Sequence, residues 1–299
     1  MAVNKNLLPQ FNRIIELTII GSDNREYHIP CPRHGRKPSI EITASYAGNN
    51  TLYAFNVTVK NLYLDYINAQ YATIKLKVGY ADNLIDMEGT ILSVYQESPG
   101  PEGRTVIQCQ SGSMQKWLDA AVQLSFDPGT RLQDILEQIK EKIGAHNVSV
   151  GQGKAVSLSL QSKFEHDGSA RDALTKLQDF FKDEKLYVFL RNDTLCAICI
   201  GEEDYIASHK LEYTSAPVQP NAGTESGDAG YTTVTAPWIP QLGIGDCLEV
   251  PARVYMRYLT TVNKNAGGTI FIQVTELSLH FGTTGGVNSM TVKGSNMKV

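Results

Sequence analysis

The chain is poor in charge, in tryptophan and in long apolar runs. Charged residues make up 19% of its 299 positions and the net charge is −4. A basic excess that would hold nucleic acid by counterion release is therefore missing. No stretch approaches the ~20 apolar residues of a membrane-spanning helix, so no membrane insertion by this chain is expected. The opening Met1-Ala2-Val3-Asn4-Lys5-Asn6-Leu7-Leu8-Pro9 lacks the apolar centre of a signal peptide. Synthesis as a soluble cytoplasmic chain is the expectation, with any exit by lysis or a dedicated machine. Cysteine is scarce and odd in number, at 31, 109, 196, 199 and 247. This is not the even, dense spacing of a disulfide framework, and buried free thiols are expected. Only Trp117 and Trp238 could offer an indole to a sugar ring, and Trp117 sits on an apolar helical stripe.

What is present is β alternation. Ile15, Leu17 and Ile19 alternate with Glu16 and Thr18, Gly21-Ser22-Asp23-Asn24 reads as a turn, and Tyr27 to Ile29 returns. Ile40, Ile42 and Ala44 resume the alternation. Tyr53, Phe55, Val57 and Val59 follow, then a short helical segment over Asn61–Ile67. Ile74, Leu76 and Val78 lead to Gly79-Tyr80. A further strand passes through Met87-Glu88-Gly89-Thr90-Ile91, and Val106 to Cys109 returns after a Pro/Gly loop. Seven short strands with regular turns predict a sandwich or small barrel.

From Ser113 the composition changes. Met114, Trp117, Leu118 and Val122 stand at helical spacing, ended by Asp127-Pro128-Gly129. Leu132, Ile135, Leu136, Ile139 and Ile143 make one stripe of a helix over Thr130–Ile143, with Thr130 and Gln133 as a capping box. Short strands are expected at Val148–Val150 and Val156–Leu160. Ser169 should cap a second helix bearing Ala173, Leu174, Leu177, Phe180 and Phe181. A hairpin over Leu186–Leu190 and Leu195–Ile200 closes the module. Beyond it, Pro217–Tyr231 reads as a long loop, Pro240 to Val250 leads into a strand, and Val254–Thr261 with Ile270–His280 reads as a hairpin. The tail from Gly282 is rich in Gly, Thr, Ser and Asn.

A search for chemistry ends mostly in structural readings. Cys196-Ala197-Ile198-Cys199 has C-x-x-C spacing but lies in a strand, where residues three apart face opposite ways. The histidines at 28, 34, 146, 166, 209 and 280 stand at no mutual metal-ligand spacing. Cys31 with His34, and His166-Asp167, read as loop coincidences. Gly243-x-Gly245 follows no βαβ unit and is no phosphate loop. Glu202-Glu203-Asp204 reads as a solvated acidic turn rather than a catalytic pair. Arg33, His34, Arg36 and Lys37 form the one basic cluster, read as a charged interface edge. No catalytic, cofactor-binding or metal residue is assigned.

The order of these signals resembles the baseplate hub proteins of tailed phages and phage-like contractile injection systems. The points of resemblance are a strand ending in Asn61-Leu62, a short helix, an apolar strand ending in Gly79-Tyr80, and the apolar-x-Gly-x-Ile of Met87 to Ile91. Later, Pro240, Gly245, Asp246 and Leu248 stand in the order by which that family enters its second barrel, and Leu277-Ser278-Leu279-His280 matches a strand ending in His. Met87 departs from the pattern, where an aromatic is common, and the loops of the last unit are long. The resemblance implies an α+β, mainly β fold. A tube-type antiparallel β-barrel at 9–112 and a second β-barrel at 202–299 would flank an α+β insert at 113–201. It also implies a structural, non-enzymatic viral protein in the virion's tail baseplate, assembled in the host cytoplasm. Three chains carrying six barrels would match a sixfold tail tube or tube-initiator protein above and a threefold central spike below. A tape measure protein is a further partner, and DNA or an effector would pass the lumen without sequence-specific binding. The alternatives are a tail-associated peptidoglycan hydrolase, sited in the middle module, and a carbohydrate-binding tail-tip module.

Overall fold

The computed structural model describes residues 13–21, 24–29, 39–47, 54–61, 72–80, 83–97, 103–191, 193–211, 219–221, 231–251, 268–283 and 288–297. The segments read as a helical turn at 61–67, as the basic loop at 31–38 and as the strand at 254–261 lie wholly or almost wholly outside these residues.

Among the described residues the fold is mainly β with three α-helices. The first seven strands are β1 (Arg13–Ile20), β2 (Glu26–Ile29), β3 (Ile40–Ala47), β4 (Ala54–Lys60), β5 (Thr73–Tyr80), β6 (Asn83–Glu97) and β7 (Arg104–Gln110). All seven pair antiparallel. Alternation sets their register, since a slip by one would turn every apolar side chain to water. Ile74, Leu76 and Val78 of β5 are buried, as are Phe55, Val57 and Val59 of β4. Asn24, in the turn between β1 and β2, takes φ 61, a left-handed conformation that asparagine tolerates.

After the insert come β13 (Ser208–Lys210), β14 (Gln219–Asn221), β15 (Tyr231–Pro237), β16 (Cys247–Val250), β17 (Ile270–Gly282) and β18 (Ser289–Asn296). These six and the first seven belong to one 13-stranded sheet, ordered β14-β15-β18-β17-β3-β4-β7-β6-β5-β1-β2, with β16 on β17 and β13 on β16. The link is β17 against β3, antiparallel from Glu276↔Ala47 to Gly282↔Glu41. Four strands not expected from sequence lie here, β13, β14, β15 and β18. β18 sits in the glycine-rich tail, with only Met290 and Val292 as buried apolar signals. It is a strand because β15 and β17 satisfy its backbone on both sides. β14 lies within the segment read as a loop at 217–231.

The insert holds a second core. Helix α1 spans Gly112–Leu118, α2 Leu132–Ile143 and α3 Ala170–Phe180, with strands β8 (Ala121–Phe126), β9 (Asn147–Val150), β10 (Phe164–Ser169), β11 (Leu186–Arg191) and β12 (Thr194–Cys199). The apolar stripe of α2 is buried as read, and Gly144 ends the helix at φ 79. Four local expectations need correction. Val122 is not on the first helix, which stops at Leu118. It begins the strand alternation Val122, Leu124, Phe126. The capping box is absent: Arg131 is the N-cap, without a side-chain bond, and the Thr130 hydroxyl donates to the Asp127 carbonyl instead. Val156–Leu160 is no strand but a short 3-10 turn at Ala155–Ser157 and a single bridge of Ser159 to Arg131. His166-Asp167 lies in strand β10, which carries one buried apolar side chain, Phe164, and so shows no alternation. Ser169 caps α3 as expected, accepting from Asp172 N.

The β11–β12 hairpin joins the two cores. Tyr187, Phe189, Cys196 and Ile198 point into the large sheet's core. Leu186, Val188, Leu190, Leu195, Ala197 and Cys199 point into the insert's core. Burial on both faces explains why this hairpin reads as unbroken apolar runs.

Candidate functional site

The buried polar residues gather where the insert meets the strands that follow it. Residues Pro240–Asp246 form a tight loop before β16. Gly245, at φ 84, donates to Val274 O, and a Cβ there would lie 2.6 Å from the Phe189 ring. The loop delivers Asp246, fully buried, to the insert. Its Oδ1 accepts from Arg191 Nη1 at 2.7 Å. Its Oδ2 accepts from Gly243 N at 2.9 Å and lies 3.1 Å from His209 Nε2. Arg191 Nη2 also donates to Gln241 O at 2.7 Å. A Cβ on Gly243 would come within 2.4 Å of Arg191 Nε, so a side chain there would displace the guanidinium. The Gly-x-Gly-Asp of the sequence is thus a clamp on an arginine rather than a phosphate loop.

A second buried carboxylate lies nearby. Asp204, read from sequence as part of a solvated acidic turn, is completely buried. Its oxygens accept from Gly153 N, Ala155 N and Cys199 N at 2.9, 2.9 and 2.8 Å. Glu202 and Glu203 stay exposed, and they mask the different fate of their neighbour. Gln273 of β17, also fully buried, accepts from Gly201 N at 2.9 Å and donates to Cys199 O and Asp204 O. Each buried acceptor is matched by a donor, the condition under which such groups are tolerated in a core. The arrangement fixes orientation, because both carboxylates are fully buried and each is held by three partners on different segments.

Other candidates do not converge. Cys196 and Cys199 lie in the two different cores, and burial pushes both thiols up to about 12. Such thiols stay protonated and are poor ligands and nucleophiles. His28 lies beside Thr18 and Glu26, His146 beside Asp193, His166 beside Ser169 O, His209 beside Asp246 and His280 beside Glu41. Among the described residues no group of three or more His, Cys, Asp or Glu side chains could hold a metal ion. His34, Cys31 and the basic cluster lie outside the described residues. Trp238, the indole that the sequence leaves as a candidate for a sugar, lies just after β15, outside the strands, and is buried. It packs edge-on to Phe281 at 4.8 Å and lies 6.4 Å from Tyr80 of β5. Trp117 is buried as well.

The middle module carries an open groove of about 670 Å³ lined by Gln123, Ser125, Glu165, His166, Asp167 and Lys176. Glu165 is held below the usual carboxylate range by its hydrogen bond from Lys163. That is the wrong direction for a general acid, whose carboxyl is raised by an apolar setting.

Sequence reading found Asp246 and Gly245 through their motif, but missed Arg191, Asp204, His209 and Gln273 as partners. The one available signal was Gln273, a polar residue inside Ile-Phe-Ile-Gln-Val.

No family model matches the chain, and no curated protein matches it by sequence. Solved structures do. A tail protein from Neisseria meningitidis MC58 is 9% identical, with a TM-score of 0.56 over 95% of this chain and 97% of that one. The 43 kDa tail protein of prophage MuSo2 from Shewanella oneidensis is 10% identical, with a TM-score of 0.56 over 95% and 98%. An E. coli component of the type VI secretion system, itself similar to the T4 bacteriophage tail proteins gp27 and gp5, is 11% identical. Its TM-score is 0.55 over 89% of this chain and 76% of that one. The chain therefore shares the fold of phage tail proteins along nearly its whole length.

Proposed function

We propose that the chain is a structural, non-enzymatic subunit of a phage tail baseplate hub. In this reading three copies form a ring that joins the sixfold tube above to the threefold spike below, and DNA or an effector passes through its lumen. The observation that carries it is the single sheet uniting seven strands before the insert with six after it, in the fold of tail proteins over 95% of the chain. Two β units per chain give six from three chains, which is how one ring can meet both symmetries. We take 9–112 and 202–299 as the two units and 113–201 as the insert that the Asp246 and Asp204 networks hold in a fixed orientation. The partners are a second and third copy, the tube or its initiator, the spike and the tape measure protein. The ring forms in the host cytoplasm and resides in the virion.

Mass photometry of the purified chain, alone and with the spike protein at micromolar concentration, tests this reading. A trimer in either sample supports it, and a monomer in both overturns it. The hydrolase alternative predicts clearing in a peptidoglycan zymogram that Glu165→Gln or Asp167→Asn abolishes, and the hub reading predicts none.

A further inference from the structure

The insert's two small sheets have β8, β10, β9 and β11 as their edge strands. Ala170 N donates to Ala120 O at 2.8 Å, in line with the β8–β10 register, so Val122, Leu124 and Phe126 bond across to β10. The backbone groups of Ala121, Gln123 and Ser125, and of Glu165, Asp167 and Ser169, therefore point away from the paired strand. On β10 this outer edge is capped. Lys176 Nζ donates to Glu165 O at 2.6 Å, and His166 Nε2 lies 3.0 Å from Ser169 O. The outer edge of β11 is capped too, since Leu186 N donates to Phe181 O and Val188 N to Gln178 Oε1. β9 is only four residues long. The outer edge of β8 differs. No described residue bonds to the backbone of Ala121, Gln123 or Ser125 there, and all three residues are exposed. Ala121–Phe126 also lacks the proline or charged side chain that commonly blunts an edge. Beside this edge the solvent face of the ribbon is the floor of the open groove, with Gln123 opposite Asp167 and Ser125 opposite Glu165. Glu165 is paired with Lys163, whereas Asp167 has no ion pair among the described residues.

We infer that the open edge of β8 is a docking strand, completed by an extended segment of another protein that carries lysine or arginine at alternate positions. An added strand binds chiefly through main-chain hydrogen bonds, and its side chains supply selectivity. The N–H and C=O of Ala121, Gln123 and Ser125 provide the first. Val122, Leu124 and Phe126 are already buried in the insert's core, so selectivity falls to the solvent face. β8 carries no charge on that face, and the first one beyond it is the Asp167 carboxylate. A lysine opposite Gln123 on the added strand would stand two strand spacings from Asp167, roughly 10 Å between backbones. The two side chains together span that gap. An acidic segment would instead meet Glu165 and Asp167 as like charges. The site belongs to the insert alone, so it stands whether or not three copies close into a ring.

The test uses the full chain and a short peptide of alternating lysine and valine. Its controls are the same peptide N-methylated along its backbone and a version with glutamate in place of lysine. The lysine peptide should slow hydrogen exchange at the Ala121, Gln123 and Ser125 amides by roughly tenfold or more, and leave the β11 edge unchanged. The N-methylated and glutamate peptides should give no protection. Gln123→Pro removes one outward N–H and spares the β10 ladder, so it should fold and lose the peptide. Asp167→Asn should weaken the lysine peptide by roughly two- to fivefold. Equal protection by the N-methylated peptide overturns strand addition, even where Gln123→Pro fails to fold. Equal protection by the glutamate peptide, or unchanged affinity in Asp167→Asn, overturns the basic occupant. Protection that rises with protein concentration in the absence of peptide assigns the edge to a second copy and overturns the assignment to another protein. No protection at saturating lysine peptide overturns the site.

Discussion

Arg191 of the insert and Asp246 of the following loop meet at 2.7 Å, with the carboxylate wholly out of water. The pair joins segments 55 residues apart in sequence, and both partners hold further bonds. Breaking a buried pair from one side leaves the other charge uncompensated, at a cost of about 3–5 kcal/mol. Asp246→Ala should therefore lower the unfolding free energy by about that much in urea. The double variant Arg191→Met, Asp246→Leu should recover most of the loss. A loss under 1 kcal/mol in the single variant would mean that the pair does not set the junction.

The inward set of β5 gives a sharper contrast. Ile74 is fully buried and its neighbour Lys75 is exposed. Ile74→Asp should destabilise by several kcal/mol, through an unpaired buried carboxylate. Lys75→Asp should change stability by under about 1 kcal/mol. Thermal unfolding of the two variants side by side checks the register directly.

Trp238, Tyr80 and Phe281 close the joint between the two halves of the sheet. Trp238→Ala should cost about 3–5 kcal/mol. Trp238→Phe should cost clearly less, because the edge-on contact with Phe281 survives. Equal losses in denaturant titrations would show that the contact does not depend on an aromatic at this position.

The cysteines predict an alkaline limit. Cys109, Cys196 and Cys199 are all pushed up to about 12 from an ordinary 9.0 by burial. Above pH 9 the unfolded chain gives up these protons and the folded one keeps them. The folded state thus binds more protons, and stability falls as pH rises from about 9 toward 12. Below 9 the contribution is complete. Replacing Cys196 and Cys199 by Ala should flatten the slope of unfolding free energy between pH 8.5 and 10.5. An unchanged slope would show that these thiols are not the groups responsible. The same variants should leave metal content untouched, with no stoichiometric zinc in the parent protein.

How much could be read in the sequence follows from where each signal comes from. Alternation placed the described strands β1 to β7 because one face is buried and the other wet, so Ile74 and Lys75 announce their sides. The stripe of α2 was equally plain. β10, β13, β14, β15 and β18 were missed because their own side chains give little apolar alternation and their strand character comes from the strands that flank them. Ser-Met-Thr-Val-Lys-Gly-Ser-Asn is extended because β15 and β17 flank it. The junction stayed hidden for a related reason. Asp204 looks like its neighbours Glu202 and Glu203, and only the backbone donors at Gly153, Ala155 and Cys199 distinguish it. Trp238 does lie outside the strands, as Pro-Trp-Ile-Pro suggests, but its burial was not legible, because a loop can still drive its one large side chain into a core.

The β3–β17 pairing sets the order in which the molecule can be completed. Residues 41–47 leave the ribosome more than two hundred residues before 276–282, which must lie beside them. Until then β3 holds β4 on one side and an open row of backbone donors and acceptors on the other, an edge able to capture a strand of any neighbouring chain. Sheet closure thus waits on the end of synthesis, a long-range step of the kind that folds slowly. A nascent chain stalled anywhere inside the insert would carry that unsatisfied edge, whereas the finished chain has hidden it within its own sheet.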